Sequence, residues 1–149
     1  MFKHADELNF YIEENIQNVY GTFDPFKIAD DCGIKIKYVP FMEDPQGMIA
    51  NVDGQKYILI SDTLVDSNVK YFICAHELYH HLSHNGLGYY YISSIGGKYT
   101  LEREANSFAT SLVTYLYKDM FDPDPENVSY LDVINHFQIP RKVFLYEYG

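Results

Sequence analysis

The chain has 149 residues, 47% of them apolar, and a formal net charge of −10. Length and composition fit one globular domain with its own core and argue against a disordered tail. The acidic balance argues against a nucleic-acid surface, which needs clustered Lys and Arg, and disfavours binding to an anionic membrane.

In chain order, residues 4–19 predict a surface helix. Leu8, Tyr11, Ile12, Ile16 and Val19 recur at helical spacing, and Gly21 ends it. Asp24-Pro25 reads as an N-cap followed by proline at the first helical position, opening a short helix through Asp31 that Gly33 terminates. Ile34 to Val39 alternates apolar and polar residues, as a strand does. Gly47 to Val52 and Tyr57 to Ile60 predict two more strands, joined by an Asp53-Gly54 hairpin turn. Asp66 or Ser67 can cap a helix from Val69 to His84. Its back carries Tyr71, Cys74, Ala75, Leu78 and Leu82, and its front a row of Phe72, His76, His80 and His84.

Residues 89–99 predict a loop rich in Tyr, Ser and Gly beside that row. Thr100 can cap a long helix through Tyr117, with Leu101, Ala105, Phe108, Ala109, Leu112 and Leu116 as its buried stripe. Asp122-Pro123-Asp124-Pro125 breaks the chain, and two short helices follow, Val128 to Phe137 and Arg141 to Tyr148. The expected fold is α+β. A small three-stranded antiparallel sheet packs on the helix of residues 69–84 and on further helices, all within one domain spanning residues 1–149. Residues 126–149 form a helical extension of that domain.

Two cysteines, Cys32 and Cys74, read as reduced thiols, and Cys74 as inert core. The start, Met1 to Glu7, has no apolar leader core, and no apolar run nears the ~20 residues of a membrane span. A cytoplasmic protein is the expectation.

The chemistry is concentrated in His76-Glu77-Leu78-Tyr79-His80. Two histidines four apart share one helix face, so both imidazoles can reach one zinc ion at about 2.0–2.1 Å each. Glu77 stands where a zinc peptidase keeps the base that takes a proton from the attacking water. A catalytic zinc usually takes three protein ligands. His84 extends the row, but its Cα lies about 12 Å along the axis from that of His76, which suits a polar residue of the cleft wall better than a ligand. A carboxylate from the next helix is the better donor. Glu102 and Asn106 share a face there, so Glu102 can bind metal while Asn106 hydrogen-bonds a ligand histidine. Glu104 lies about 200° around the helix from Glu102, so only one of the two can face the ion.

His76-Glu77-x-x-His80, then His84, then Glu102-x-Glu104-Ala105-Asn106-x-Phe108-Ala109, resembles the ImmA/IrrE family of zinc metallopeptidases. The upstream Ile28-Ala29 helix and Gly33-Ile34-x-Ile36 share the likeness, which spans residues 5–117 as a catalytic core. The resemblance implies a compact gluzincin-like fold, a Zn2+ cofactor and endopeptidase cleavage of a protein substrate. In that family the substrate is typically a helix-turn-helix repressor, often encoded by a phage or mobile element. It places the third ligand at Glu102, with Glu104 as the alternative. Where family members often have Gly at the fourth position of the first motif, this chain has Tyr79. Tyr is bulkier there and narrows the approach of neighbouring elements.

Tyr89, Tyr90 and Tyr91 read as interface or core filler before they read as a substrate groove. The C-terminal helix pair has the outline of a helix-turn-helix, but residues 121–149 hold five acids, Asp122, Asp124, Glu126, Asp132 and Glu147, against Arg141 and Lys142, which argues against DNA. The expected function is zinc-dependent hydrolysis of a peptide bond in a protein. The alternative is a non-catalytic binding module of the same fold, an anti-repressor or toxin-like partner.

Overall fold

A computed structural model of the chain describes residues 11–40, 46–83, 97–121, 127–140 and 143. Helix α1 winds as a π-helix over Ile12–Gln17 and continues in α geometry over Asn18–Tyr20. Ile12 and Ile16 are buried as their spacing predicts, but Val19 is exposed. The wider π turn is the reason: it breaks the 3.6-residue phase that would have carried Val19 onto the same face. The predicted residues 4–10 of this helix lie outside the described residues. Gly21, at φ 69°, closes the element.

Helix α2 spans Pro25–Asp31. Asp24 Oδ1 accepts the Phe26 N–H at 2.9 Å, and proline sits at the first helical position, so both sequence signals operate. Strands β1 (Lys35–Val39), β2 (Gly47–Val52) and β3 (Gln55–Ser61) form one sheet in the order β1-β3-β2. Strands β2 and β3 pair antiparallel from Gly47↔Ile60 to Val52↔Gln55. Asp53 and Gly54 connect them, both at positive φ as a two-residue hairpin turn demands.

The sheet corrects the antiparallel expectation. β1 pairs with β3, not β2, and does so parallel, Lys35↔Tyr57 through Val39↔Ser61. The order follows burial. Ile58 and Ile60 are fully buried, so β3 takes the centre, while Lys35, Lys37 and Asn51 keep β1 and β2 at the edges. Residues 40–46, between β1 and β2, are too many for a tight hairpin that would have paired those two strands.

A short 3-10 turn, Asp62–Leu64, leads to α3, Val69–Ser83. Of the two predicted capping residues, Ser67 reaches the start of the helix, its Oγ accepting the Val69 N–H at 3.3 Å. α3 runs through the middle of the molecule, packed on α2, on β2 and β3, and on two later helices, α4 (Gly97–Phe121) and α5 (Tyr130–Phe137). It is buried on more than its predicted back. Cys74, Ala75 and Leu78 are in the core, and so are Phe72, Tyr79 and His81. Phe72, in the same row as His76 and His80, lies in the core. His81 Nε2 donates to the Tyr57 carbonyl at 2.8 Å and so ties α3 to the central strand.

α4 begins at Gly97, so Thr100 lies inside it and is not its cap. The predicted stripe of Leu101, Ala105, Phe108, Ala109, Leu112 and Leu116 is buried throughout. In α5 the Ser129 hydroxyl accepts from the Asp132 N–H, and the Asp132 carboxylate accepts from the Ser129 N–H, a capping box. Val133 and Phe137 join the same core as α3 and α4, as does Val143. The rest of the second predicted C-terminal helix and the Asp122–Pro125 break lie outside the described residues. No helix among the described residues is long and apolar enough to cross a membrane.

Candidate metal centre

The site is built by two helices. His76 and His80 are one turn apart on α3, and their Nε2 atoms stand 3.3 Å from each other. Glu102, in the first half of α4, reaches across. Its Oε2 is 3.1 Å from His76 Nε2, and its Oε1 is 2.9 Å from His80 Nε2. Among the described residues these three form the group that could hold a metal ion, with all three ligand atoms within 4.8 Å of one another.

The spacing tests the fit. Ligands about 2.0–2.1 Å from a tetrahedral zinc lie about 3.3 Å apart along an edge of the tetrahedron. The two Nε2 atoms, 3.3 Å apart, match that edge, and each of the two Glu102 oxygens stands near it from one histidine, 3.1 Å from His76 and 2.9 Å from His80. The donor set, two imidazole nitrogens and one carboxylate, is one that zinc takes. Both histidine side chains are nearly enclosed, 13% and 11% exposed, while Glu102 is 47% exposed and forms the open side.

Asn106 lies one turn beyond Glu102, and its Oδ1 is 2.8 Å from His76 Nδ1. A carbonyl oxygen can only accept, so His76 donates from Nδ1. With Nδ1 donating, the neutral ring would carry its lone pair on Nε2, the atom on the side of His80 and Glu102. Burial works against a charged His76, but the bond to Glu102 and the charges of Glu77 and Glu102 outweigh it, and its pKa rises. Burial pushes Glu102 up, yet the bonds to His76 and His80 hold its carboxyl well below the usual carboxylate range.

Glu77 belongs to none of these pairs. Its carboxylate comes within 3.9 Å of His76 Nε2 on a side chain 11% exposed, and burial, the largest influence, raises its pKa. Glu104 turns away from the histidines and accepts the Tyr79 hydroxyl at 2.6 Å. The sequence left Glu102 and Glu104 as alternatives, and the structure brings Glu102 to the histidines. His84, Tyr89, Tyr90 and Tyr91 lie outside the described residues. Cys74 is fully buried, and burial raises its thiol pKa well above the usual value, so it is core.

Two contributors escaped the sequence reading. The first is the Tyr79 hydroxyl bond. The second is Gly47, which opens β2 directly against α3. A Cβ there would stand 2.4 Å from Ile73 Cγ2 and 3.3 Å from Glu77 Cγ. The available signal was a glycine opening a strand, which often marks close approach of another element. Compared with known proteins, the chain matches no family model, no curated protein and no solved structure.

Proposed function

We propose that the chain is a zinc-dependent endopeptidase of the ImmA/IrrE type, acting on a protein substrate. One observation carries the reading: a carboxylate outside the ligand group, Glu77, is held beside the histidine pair in a nearly enclosed setting. A site that only braced two helices has no use for it. His76, His80 and Glu102 would hold the ion. When bound, zinc supplies a Lewis acid that polarises a carbonyl and lowers the pKa of water. Glu77 accepts the proton of the attacking water and passes it to the leaving amine. Its raised pKa suits a group that must both take and return a proton. The substrate class carried over from the resemblance is a helix-turn-helix repressor, and the reduced thiols Cys32 and Cys74 suit a cytoplasmic setting.

Glu77→Gln keeps size and shape and removes the base. It should leave fold and bound zinc intact and lower turnover by about 10²–10⁴-fold. The assay is co-expression with a helix-turn-helix repressor encoded beside the gene, following repressor length on a gel together with the transcription it controls. If wild type and Glu77→Gln relieve repression equally with the repressor uncut in both, the chain acts by binding and the peptidase reading is abandoned.

A further inference from the structure

His76, His80 and Glu102 sit on two separate helices, so their mutual distances depend on how α4 is rolled about its axis against α3. Side-chain tips stand about 5–6 Å from a helix axis, and a roll of roughly 10° carries one by about 1 Å. A ligand site tolerates errors of about 0.5 Å. Something must set the roll.

α3 grips α4 along two rows. One row is Glu102 and Asn106, which meet His76 and His80. The other is Glu104 and Phe108, which meet Tyr79. The Tyr79 hydroxyl donates to Glu104 Oε2 at 2.6 Å, and its ring packs on that of Phe108 with centroids 5.4 Å apart. Tyr79 is buried and Glu104 half-buried, and a bond from a hydroxyl to a carboxylate is of the charge-assisted kind. Glu102 and Glu104 are about 200° apart on α4. A bond on each therefore opposes rolling in either direction, which a bond on one row alone cannot do.

We infer that Tyr79 and Glu104 form a clasp that fixes the roll of α4 and thereby places Glu102 for the metal; both are positioning residues. The inference rests on reading His76, His80 and Glu102 as a zinc site, but not on hydrolysis. Tyr79→Phe keeps the ring and its packing and deletes the hydroxyl alone. It should weaken zinc binding by about tenfold, the lower end of what partners behind a ligand contribute. Glu104→Ala should weaken it equally, and the double variant should be no worse than either single. Glu104→Gln keeps an acceptor oxygen but loses the charge, and should fall between wild type and Glu104→Ala.

The measurements are zinc affinity by chelator competition, the visible spectrum of the cobalt(II)-loaded protein, and melting of the metal-free form. A changed cobalt spectrum in Tyr79→Phe supports the clasp. Unchanged affinity and spectrum with a lower melting temperature reduce the bond to ordinary packing and overturn it, and so do fully additive single variants. A wild-type protein that binds no zinc removes the metal-site reading and the clasp with it.

Discussion

At the scale of single residues, the ligand assignment has a direct test. Glu102→Gln removes the carboxylate that spans both histidines and should weaken zinc binding markedly, whereas Glu104→Gln should do so far less. Metal content after dialysis, measured on both variants, checks it, and loss of metal from Glu104→Gln alone would reverse the assignment. Gly47 supports a second prediction. Gly47→Ala should destabilise by about 1–3 kcal/mol, because its Cβ would overlap Ile73 Cγ2. Adding Ile73→Ala should relieve the overlap, so the loss of stability of the double variant in urea should be smaller than the sum of the two separate losses. The residues that share a face along one helix were legible in the sequence. His76 with His80, and Glu102 with Asn106, follow from a spacing of four. Tyr79 with Glu104 and Gly47 with Ile73 were not legible. Each pair joins two elements, and no periodicity within one element says how another will lie on it.

The elements show the same division. The Asp24 cap, the Asp53-Gly54 turn and the buried stripe of α4 are local facts, and local chemistry determined them. The sheet order is a competition among strands for the centre, decided by total burial, and the alternation within each strand is silent about it. The order can be checked by stability. Ile60→Ala, in the fully buried centre, should cost about 2–5 kcal/mol in chemical denaturation, whereas Val52→Ala, on the exposed edge, should cost less than about 0.5 kcal/mol. The phase slip in α1 was likewise hidden, since Ile12, Ile16 and Val19 fit an α-helix on paper. The Thr100 cap failed because the helix starts three residues upstream, at Gly97, and a capping residue acts only where the helix begins.

For the whole molecule, the zinc should be part of the fold. Binding at a hundredfold excess of free ion over Kd adds about 2.7 kcal/mol. For a chain of this length that corresponds to a melting shift of roughly 5–10 °C, which chelator should abolish and added zinc restore. Melting curves with and without chelator decide it, and coincident curves would show that no ion bridges α3 and α4. The single core that α3, α4 and α5 share was foreshadowed by the buried stripes in the sequence. That α3 would be enclosed on nearly every side was not, because its histidines and glutamate mark it as a surface helix until α4 and the sheet are laid on it.

His80 and Glu102 are far apart along the chain yet side by side in the folded molecule. An ion held between them is a cross-link, and closing a loop of that length costs the unfolded chain roughly 3 kcal/mol of its freedom. Unlike a disulfide, this link is broken by scarcity of metal, with no reductant needed. The lifetime of the chain against cellular proteases should therefore track zinc supply: starvation loosens α4 and exposes it to digestion, and replete cells keep it. The abundance of the protein would then report metal status before any substrate is met.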